Sequence, residues 1–202
     1  DDRIRGIYLD MKYTQAGYAT LTEVRNALLA FKESGKFIYA YGDFMSEGAY
    51  YIASVADSVF LNPMGKIEVN GLATERMYYK QAFDMFGIQP EIFRVGTYKS
   101  AVEPYLTDKM SDDARFQTKT YMDSLNNFYL RQVAQSRKIS FEDLQEISAQ
   151  MLARDAQSAV KHKLADLMAY RDEAEEAVRR ILELEEKKKI KSDTFYKQST
   201  DA

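Results

Sequence analysis

Breaking a covalent bond takes a nucleophile and a base, and this sequence offers few of either. Among 202 residues there is no Cys and a single His. That removes thiolate nucleophiles, thiolate zinc sites and any disulfide framework. It also leaves His162 as the only imidazole that a Ser-His-Asp triad could use. His162 stands between Lys161 and Lys163 and reads as a solvent-exposed residue of a surface helix. No second His or Cys supplies metal-ligand spacing, the scattered carboxylates make no calcium loop, and no Gly-rich phosphate loop is present. Neither a metal nor a cofactor is expected. If the chain takes part in hydrolysis, its base is a carboxylate or a lysine.

Two segments hold the chemistry that remains. In Gly42-Asp43-Phe44-Met45-Ser46-Glu47-Gly48-Ala49-Tyr50 a buried strand ends and a helix starts. Such a turn exposes backbone N–H groups at the positive end of a helix and can carry a nucleophile or an oxyanion hole. Ser46 is the local candidate nucleophile, but the pattern is not G-x-S-x-G, and the plainer reading of Ser46 is a helix cap. The second segment is Arg94-Val95-Gly96-Thr97-Tyr98-Lys99-Ser100-Ala101-Val102-Glu103-Pro104. It follows an expected strand, Pro90 to Val95, and ligand sites of open parallel sheets collect at the C-terminal ends of strands. A lysine serves as a base near neutral pH when burial or a neighbouring cation destabilises its ammonium form by about 4 kcal/mol, a shift of ~3 pKa units. Taken alone, Lys99 reads as a surface lysine.

The elements that must position these segments alternate. Ile4 to Asp10 is a near-continuous apolar run, expected as a strand buried on both faces. Leu21, Val24, Leu28 and Phe31 mark a helical face ending at Ser34, with Thr20 as N-cap and Gly35 as the stop. Lys36 to Gly42 is the next strand, Gly48 to Ala56 a short helix, and Ser58 to Leu61 a strand closed by Asn62-Pro63. This β-α-β-α-β order is that of a parallel sheet with helical crossovers. Further along, Lys66 to Ala73 alternates like a strand, and Arg76 to Phe86 is helical up to Gly87. Gly96 to Met110 has little local preference. Ser111 caps a long helix to about Lys138, with Met122, Leu125, Tyr129 and Val133 as its buried stripe. Ser140 caps another helix through Ala149, and Asp155 to Lys163 forms one more. From Arg171 to Lys191, fourteen of 21 residues are charged, seven of each sign. That pattern fits a solvated helix docked on one narrow stripe (Ala174, Val178, Ile181, Leu182, Leu184), followed by a tail.

Composition bounds the rest. At 202 residues with 46% apolar content, the chain can bury a real core. Its net charge of −3 and pI near 5.4 argue against a nucleic-acid binder, which would carry a basic surplus. No apolar run approaches the roughly 20 residues that span a bilayer. The opening Asp1-Asp2-Arg3-Ile4 carries no signal peptide and no initiator Met, so the chain reads as part of something longer, with any anchor upstream.

Phe93 to Pro104 (F-R-V-G-T-Y-K-S-A-V-E-P) resembles the lysine-bearing loop of the signal peptide peptidase A (protease IV) family. Glu47 to Asp57 (E-G-A-Y-Y-I-A-S-V-A-D), Val59 to Pro63 (V-F-L-N-P), Gly71 to Thr74 and Met77 to Lys80 resemble the same family. The likeness covers most of residues 3 to 170. It implies an α/β fold with a ClpP/crotonase-like parallel-sheet core, flanking helices and a helical C-terminal region. Residues 1–170 would be the N-terminal peptidase domain, and 171–202 a charged helix and tail leading toward a further, C-terminal domain. The resemblance makes Lys99 the general base of a Ser/Lys dyad and puts the serine in that other domain. Aligning the family's A-S-G-G-Y elbow with Gly48-Ala49-Tyr50 puts Glu47 at the nucleophile position and Ser46 one residue early, a swing of ~100° about a helix axis, so Ser46 is not expected to be the nucleophile. It further implies peptide substrates such as remnant signal peptides, a ring- or bowl-like homo-oligomer (a tetramer), membrane anchoring, and a location on the extracytoplasmic, periplasmic side. The isolated chain would be inactive. A non-catalytic oligomerisation or substrate-binding domain of the same fold is the alternative. A crotonase-like acyl-CoA enzyme also fits the α/β pattern and would need a CoA pocket.

Overall fold

The computed structural model describes residues 4–93 and 99–182. Among them lie four strands and eight α-helices in the order β1 (Gly6–Asp10), α1 (Tyr18–Lys32), β2 (Phe37–Met45), α2 (Glu47–Ala53), β3 (Ser58–Ile67), α3 (Lys80–Phe86), α4 (Glu103–Leu106), α5 (Asp112–Arg137), α6 (Phe141–Ala149), α7 (Ala156–Lys161), β4 (Leu167–Met168) and α8 (Arg171–Ile181). A 3-10 turn at Ser100–Val102 precedes α4. The chain divides into two compact units, Asp1–Glu68 with Ala153–Ala202, and Val69–Leu152.

The first unit carries a four-stranded sheet in the order β1-β2-β3-β4, every neighbouring pair parallel. The α/β class with a parallel sheet is therefore as expected. Its strands differ from the expectation: β2 runs three residues past Gly42, to Met45, and β4 has no expected counterpart. β1 is half-buried rather than buried on both faces, because it is an edge of the sheet among the described residues. Asn62-Pro63 does not close β3, which continues to Ile67. Between Gly42↔Leu61 and Phe44↔Lys66 the register shifts, so Asn62 to Gly65 bulge out opposite Asp43 alone. A bulge tolerates Pro63, which has no N–H for the ladder. Gly65 sits where a Cβ would lie 2.5 Å from the Asp43 carbonyl oxygen, so no other residue fits there without backbone movement. The expected strand Lys66 to Ala73 reduces to Lys66 and Ile67, the end of β3.

Two aspartates start β3 and β4 in the same way. Asp57 precedes β3; its N–H donates to the Ile38 carbonyl at 2.7 Å, and its carboxylate accepts the Ile38 N–H at 2.8 Å. Asp166 precedes β4 and repeats the arrangement on Val59, at 2.9 and 2.7 Å. Each carboxylate replaces a ladder carbonyl where the pairing begins.

α1 starts at Tyr18 with Gly17 at its N-cap, not at Leu21 with Thr20. Its buried face is Leu21, Arg25 and Leu28, while Val24 is exposed. α8 buries Ala174 and Val178 and leaves Ile181 exposed. Arg171 anchors it, donating to both Asp10 carboxylate oxygens at 2.8 and 3.0 Å, with its guanidinium 4.9 Å from the Tyr41 ring centroid. The expected continuation through Leu184 to Lys191, and the tail after it, lie outside the described residues.

The second unit is helical. α5 spans 26 residues, with the Ser111 hydroxyl accepting the Ala114 N–H at 3.2 Å and two aspartates in the first turn, which suits the helix dipole. Tyr129 and Val133 of its expected stripe are buried, and Met122 and Leu125 half-buried. Ser140 caps α6 through the Asp143 N–H at 3.0 Å. α3 begins at Lys80, four residues later than expected, and buries no side chain. Gly87, with φ 68°, ends it in the left-handed conformation that glycine adopts freely. Residues 90–93 of the expected strand Pro90 to Val95 form no strand; Arg94 and Val95 lie outside the described residues.

Candidate active site

Ser46 sits where β2 gives way to α2. Its backbone is extended (φ −63°, ψ 164°), and its hydroxyl accepts the Ala49 N–H at 3.4 Å. The residue is 7% exposed. The structure thus gives Ser46 the helix-cap role, with its oxygen turned to the backbone of α2. Glu47, at the position where the resemblance aligns the family's serine, opens the helix and is half-buried.

This elbow is braced from three directions. The Tyr50 hydroxyl donates to the Leu164 carbonyl at 2.7 Å, and the Tyr51 hydroxyl lies 3.2 Å from the Thr22 hydroxyl. Arg25, 1% exposed, reaches from α1 to the C-terminal end of α2. It donates to the Tyr51 carbonyl and to the Ser54 hydroxyl at 2.8 Å, and its guanidinium lies 4.8 Å from the Tyr51 ring centroid. A cation at the negative end of a helix dipole is favourable, and these bonds compensate its burial. Tyr18 closes the same corner edge-on to Tyr51. Burial, then the nearby Glu47, push its hydroxyl up to about 12.

Lys99 belongs to the other unit. Residues 94–98 of its loop lie outside the described residues. Lys99 itself is exposed and directly precedes the 3-10 turn. The segment after it is held from several sides. The Arg76 guanidinium donates to the Ser100 carbonyl at 3.4 Å, and the Glu103 N–H donates to the same carbonyl. The Tyr79 N–H donates to the Pro104 carbonyl at 2.6 Å. The rings of Tyr79, Phe83 and Tyr105 stack with centroids 6.0–6.5 Å apart, which fastens α4 to α3. Glu103 is buried and bonds to Ser111 at the head of α5.

Ser46 and Lys99 are therefore not brought together within one compact unit. His162 forms the C-cap of α7 and is half-buried rather than exposed, because the chain turns inward there toward the buried Leu164. Among the described residues, no group of three His, Cys, Asp or Glu is placed to hold a metal ion. No helix among them is long and apolar enough to cross a membrane. Sequence reading missed Arg25 and Glu103, both buried charges; Arg25 lies on one helical face with the buried Leu21 and Leu28, and Glu103 is the one buried residue of the four-residue α4, which leaves no pattern to mark it.

Comparison with known proteins gives these residues a setting. The chain is 38% identical over 154 residues to Protease 4 of Haemophilus influenzae, covering 76% of this chain and 25% of that protein. It is 38% identical over 187 residues to Protease 4 of Salmonella typhi, covering 88% and 30%. To the chloroplastic serine protease SPPA of Arabidopsis thaliana it is 26% identical over 199 residues, covering 98% and 29%. The chain thus spans between a quarter and a third of the length of these relatives. Among solved structures, it aligns with a Plasmodium falciparum peptidase (TM-score 0.43, 11% identity, 82% of this chain and 80% of that one). It also aligns with a membrane-bound stomatin-specific protease (TM-score 0.41, 11% identity, 84% and 82%). Peptidase family S49 matches residues 30–186, which takes in both the Ser46 elbow and the Lys99 loop, and this chain belongs to that family.

Proposed function

We propose that this chain is the lysine-donating part of a Ser/Lys serine endopeptidase, with Lys99 as general base and the serine on a C-terminal domain outside these residues. The observation that carries the reading is the contrast between the two segments. The Ser46 hydroxyl is buried and engaged as a helix cap, whereas Lys99 is exposed within these residues at the head of a segment held by hydrogen bonds and stacked rings, open to a further domain that would have to supply the burial a neutral amine requires. In the reaction, the neutral Lys99 amine takes the proton of the serine hydroxyl as Oγ bonds to the substrate carbonyl carbon. The resulting ammonium returns a proton to the leaving amine as the C–N bond breaks. Water then attacks the acyl-serine by the same proton path and frees the serine. The lysine does the work of a triad histidine, consistent with a chain whose one His caps α7.

The substrates are remnant signal peptides and other membrane-associated peptides. The whole protein is anchored in the membrane with this domain on the extracytoplasmic, periplasmic side, and it assembles as a homo-oligomer, a tetramer. The second unit leaves Met77, Met85, Phe86, Ile88 and Phe93 exposed, Phe93 at 96%, apolar side chains that an assembly would cover. The same side chains favour the second reading, a non-catalytic oligomerisation or substrate-binding domain. Replacing Lys99 by Ala in the full-length protein separates the two. A dyad base predicts a loss of at least about 10²-fold in kcat; a binding domain predicts none.

A further inference from the structure

We infer that Glu103 is a positioning residue that sets the place of Lys99, an inference that rests on Lys99 being the base. Glu103 is 3% exposed, and burying a carboxylate is costly unless its oxygens are bonded. Both are. One accepts the Ser111 N–H at 3.1 Å and the other the Ser111 hydroxyl at 2.6 Å. That hydroxyl in turn accepts the Ala114 N–H at 3.2 Å. Ser111 is the cap of α5, a 26-residue helix, so the carboxylate is fixed to the most extended element of its unit and lies at the favourable end of its dipole.

The backbone of Glu103 carries this fixed point back toward Lys99. Its N–H bonds to the carbonyl of Ser100, the residue immediately after Lys99, and Arg76 donates to the same oxygen. Its own carbonyl takes the Thr107 N–H at 2.9 Å and the Thr107 hydroxyl at 3.1 Å. Lys99 thus stands one residue ahead of a turn whose far end is tied to α5. A buried ionic group is often replaceable by an apolar one without loss of stability, so stability alone is a weak reason for a carboxylate here. Geometry is a stronger one. A general base must come within about 3 Å of the proton it takes, and a misplacement of about 1 Å can cost ~10²-fold in rate.

The test uses the full-length protein and an internally quenched peptide with a leucine-rich core. In Glu103→Gln, the amide oxygen can still accept the Ser111 N–H and the N–H₂ can donate to the Ser111 hydroxyl, so the charge is lost and the short charge-assisted bond is replaced by weaker neutral ones. The expected result is a kcat lower by about 10- to 10²-fold with KM within about twofold, and a double variant with Lys99→Ala no slower than Lys99→Ala alone, because residues acting as a unit are not additive. Ser111→Thr, which keeps the hydroxyl, retains activity, whereas Ser111→Ala loses part of it; this pair reports on the same contact if Glu103→Gln fails to fold. Wild-type kcat in Glu103→Gln beside an inactive Lys99→Ala overturns the inference and leaves Lys99 as the base. Losses that multiply in the double variant overturn it as well. Full activity in Lys99→Ala overturns both the inference and the reading beneath it.

Discussion

At the residue scale, the placement of two hydroxyl and amine groups decides how the chain is read. Ser46 is well sited to be taken for a nucleophile, at a strand-to-helix turn, yet its oxygen serves Ala49 and its neighbour Glu47 opens the helix. In the full-length protein, Ser46→Ala should leave kcat within about twofold. It should lower stability by about 0.5–1 kcal/mol, the low end for a lost N-cap, since the bond is long at 3.4 Å. A chemical-denaturation midpoint and a peptide-cleavage assay on the same preparation check both halves; loss of cleavage with intact folding would return Ser46 to candidacy. The cap reading was legible in the sequence from residue type and position. The burial of Arg25 was not, because apolar periodicity has no place for a charged residue whose partners, Tyr51 and Ser54, lie on another helix.

At the element scale, the fold was legible where local signals and tertiary contacts agree. Ser111 and Ser140 are caps, as residue type and position alone predict, since a cap needs only its own helix. The strands were read less well. Asn62-Pro63 looks terminal, but the bulge opposite Asp43 absorbs it, and only the neighbouring strand could reveal that. β4 has two residues, too few for any periodicity. Its signal was instead the repeat of an apolar-Ala-Asp entry, Val55-Ala56-Asp57 and Leu164-Ala165-Asp166, whose aspartates start β3 and β4 alike. The brace on α2 gives a prediction of its own. Arg25→Ala removes two buried charge-assisted hydrogen bonds, although the Ser54 hydroxyl still donates to the Tyr51 carbonyl at 3.0 Å, and should cost about 2 kcal/mol. Arg25→Lys should recover little, because an ammonium does not reproduce the planar fork. Equal stability of all three proteins in urea would show that α2 holds without it.

At the scale of the whole molecule, the first unit carries tyrosines that resist ionisation. Burial raises Tyr8, Tyr18 and Tyr41, Tyr18 to about 12 from an ordinary 10.0. A group whose pKa is raised on folding contributes stability that is whole below its unfolded value and is lost as pH climbs through the folded one. Stability should therefore fall between about pH 10 and 12, with tyrosinate absorbance rising in step; a flat stability across that window would contradict the burial. The reaction belongs to a larger object still, since the chain spans between a quarter and a third of the length of its relatives. If Lys99 is the base for a serine carried elsewhere, the 202-residue chain alone cleaves nothing, and activity in the longer protein depends on one amine. The most direct test compares kcat for wild-type, Lys99→Ala and Lys99→Arg full-length proteins on one internally quenched peptide, with folding verified by thermal melting. Both variants should fold and lose at least about 10²-fold in kcat, since neither methyl nor guanidinium accepts the serine proton at neutral pH. Cleavage by Lys99→Ala at the wild-type rate would contradict Lys99 as the base.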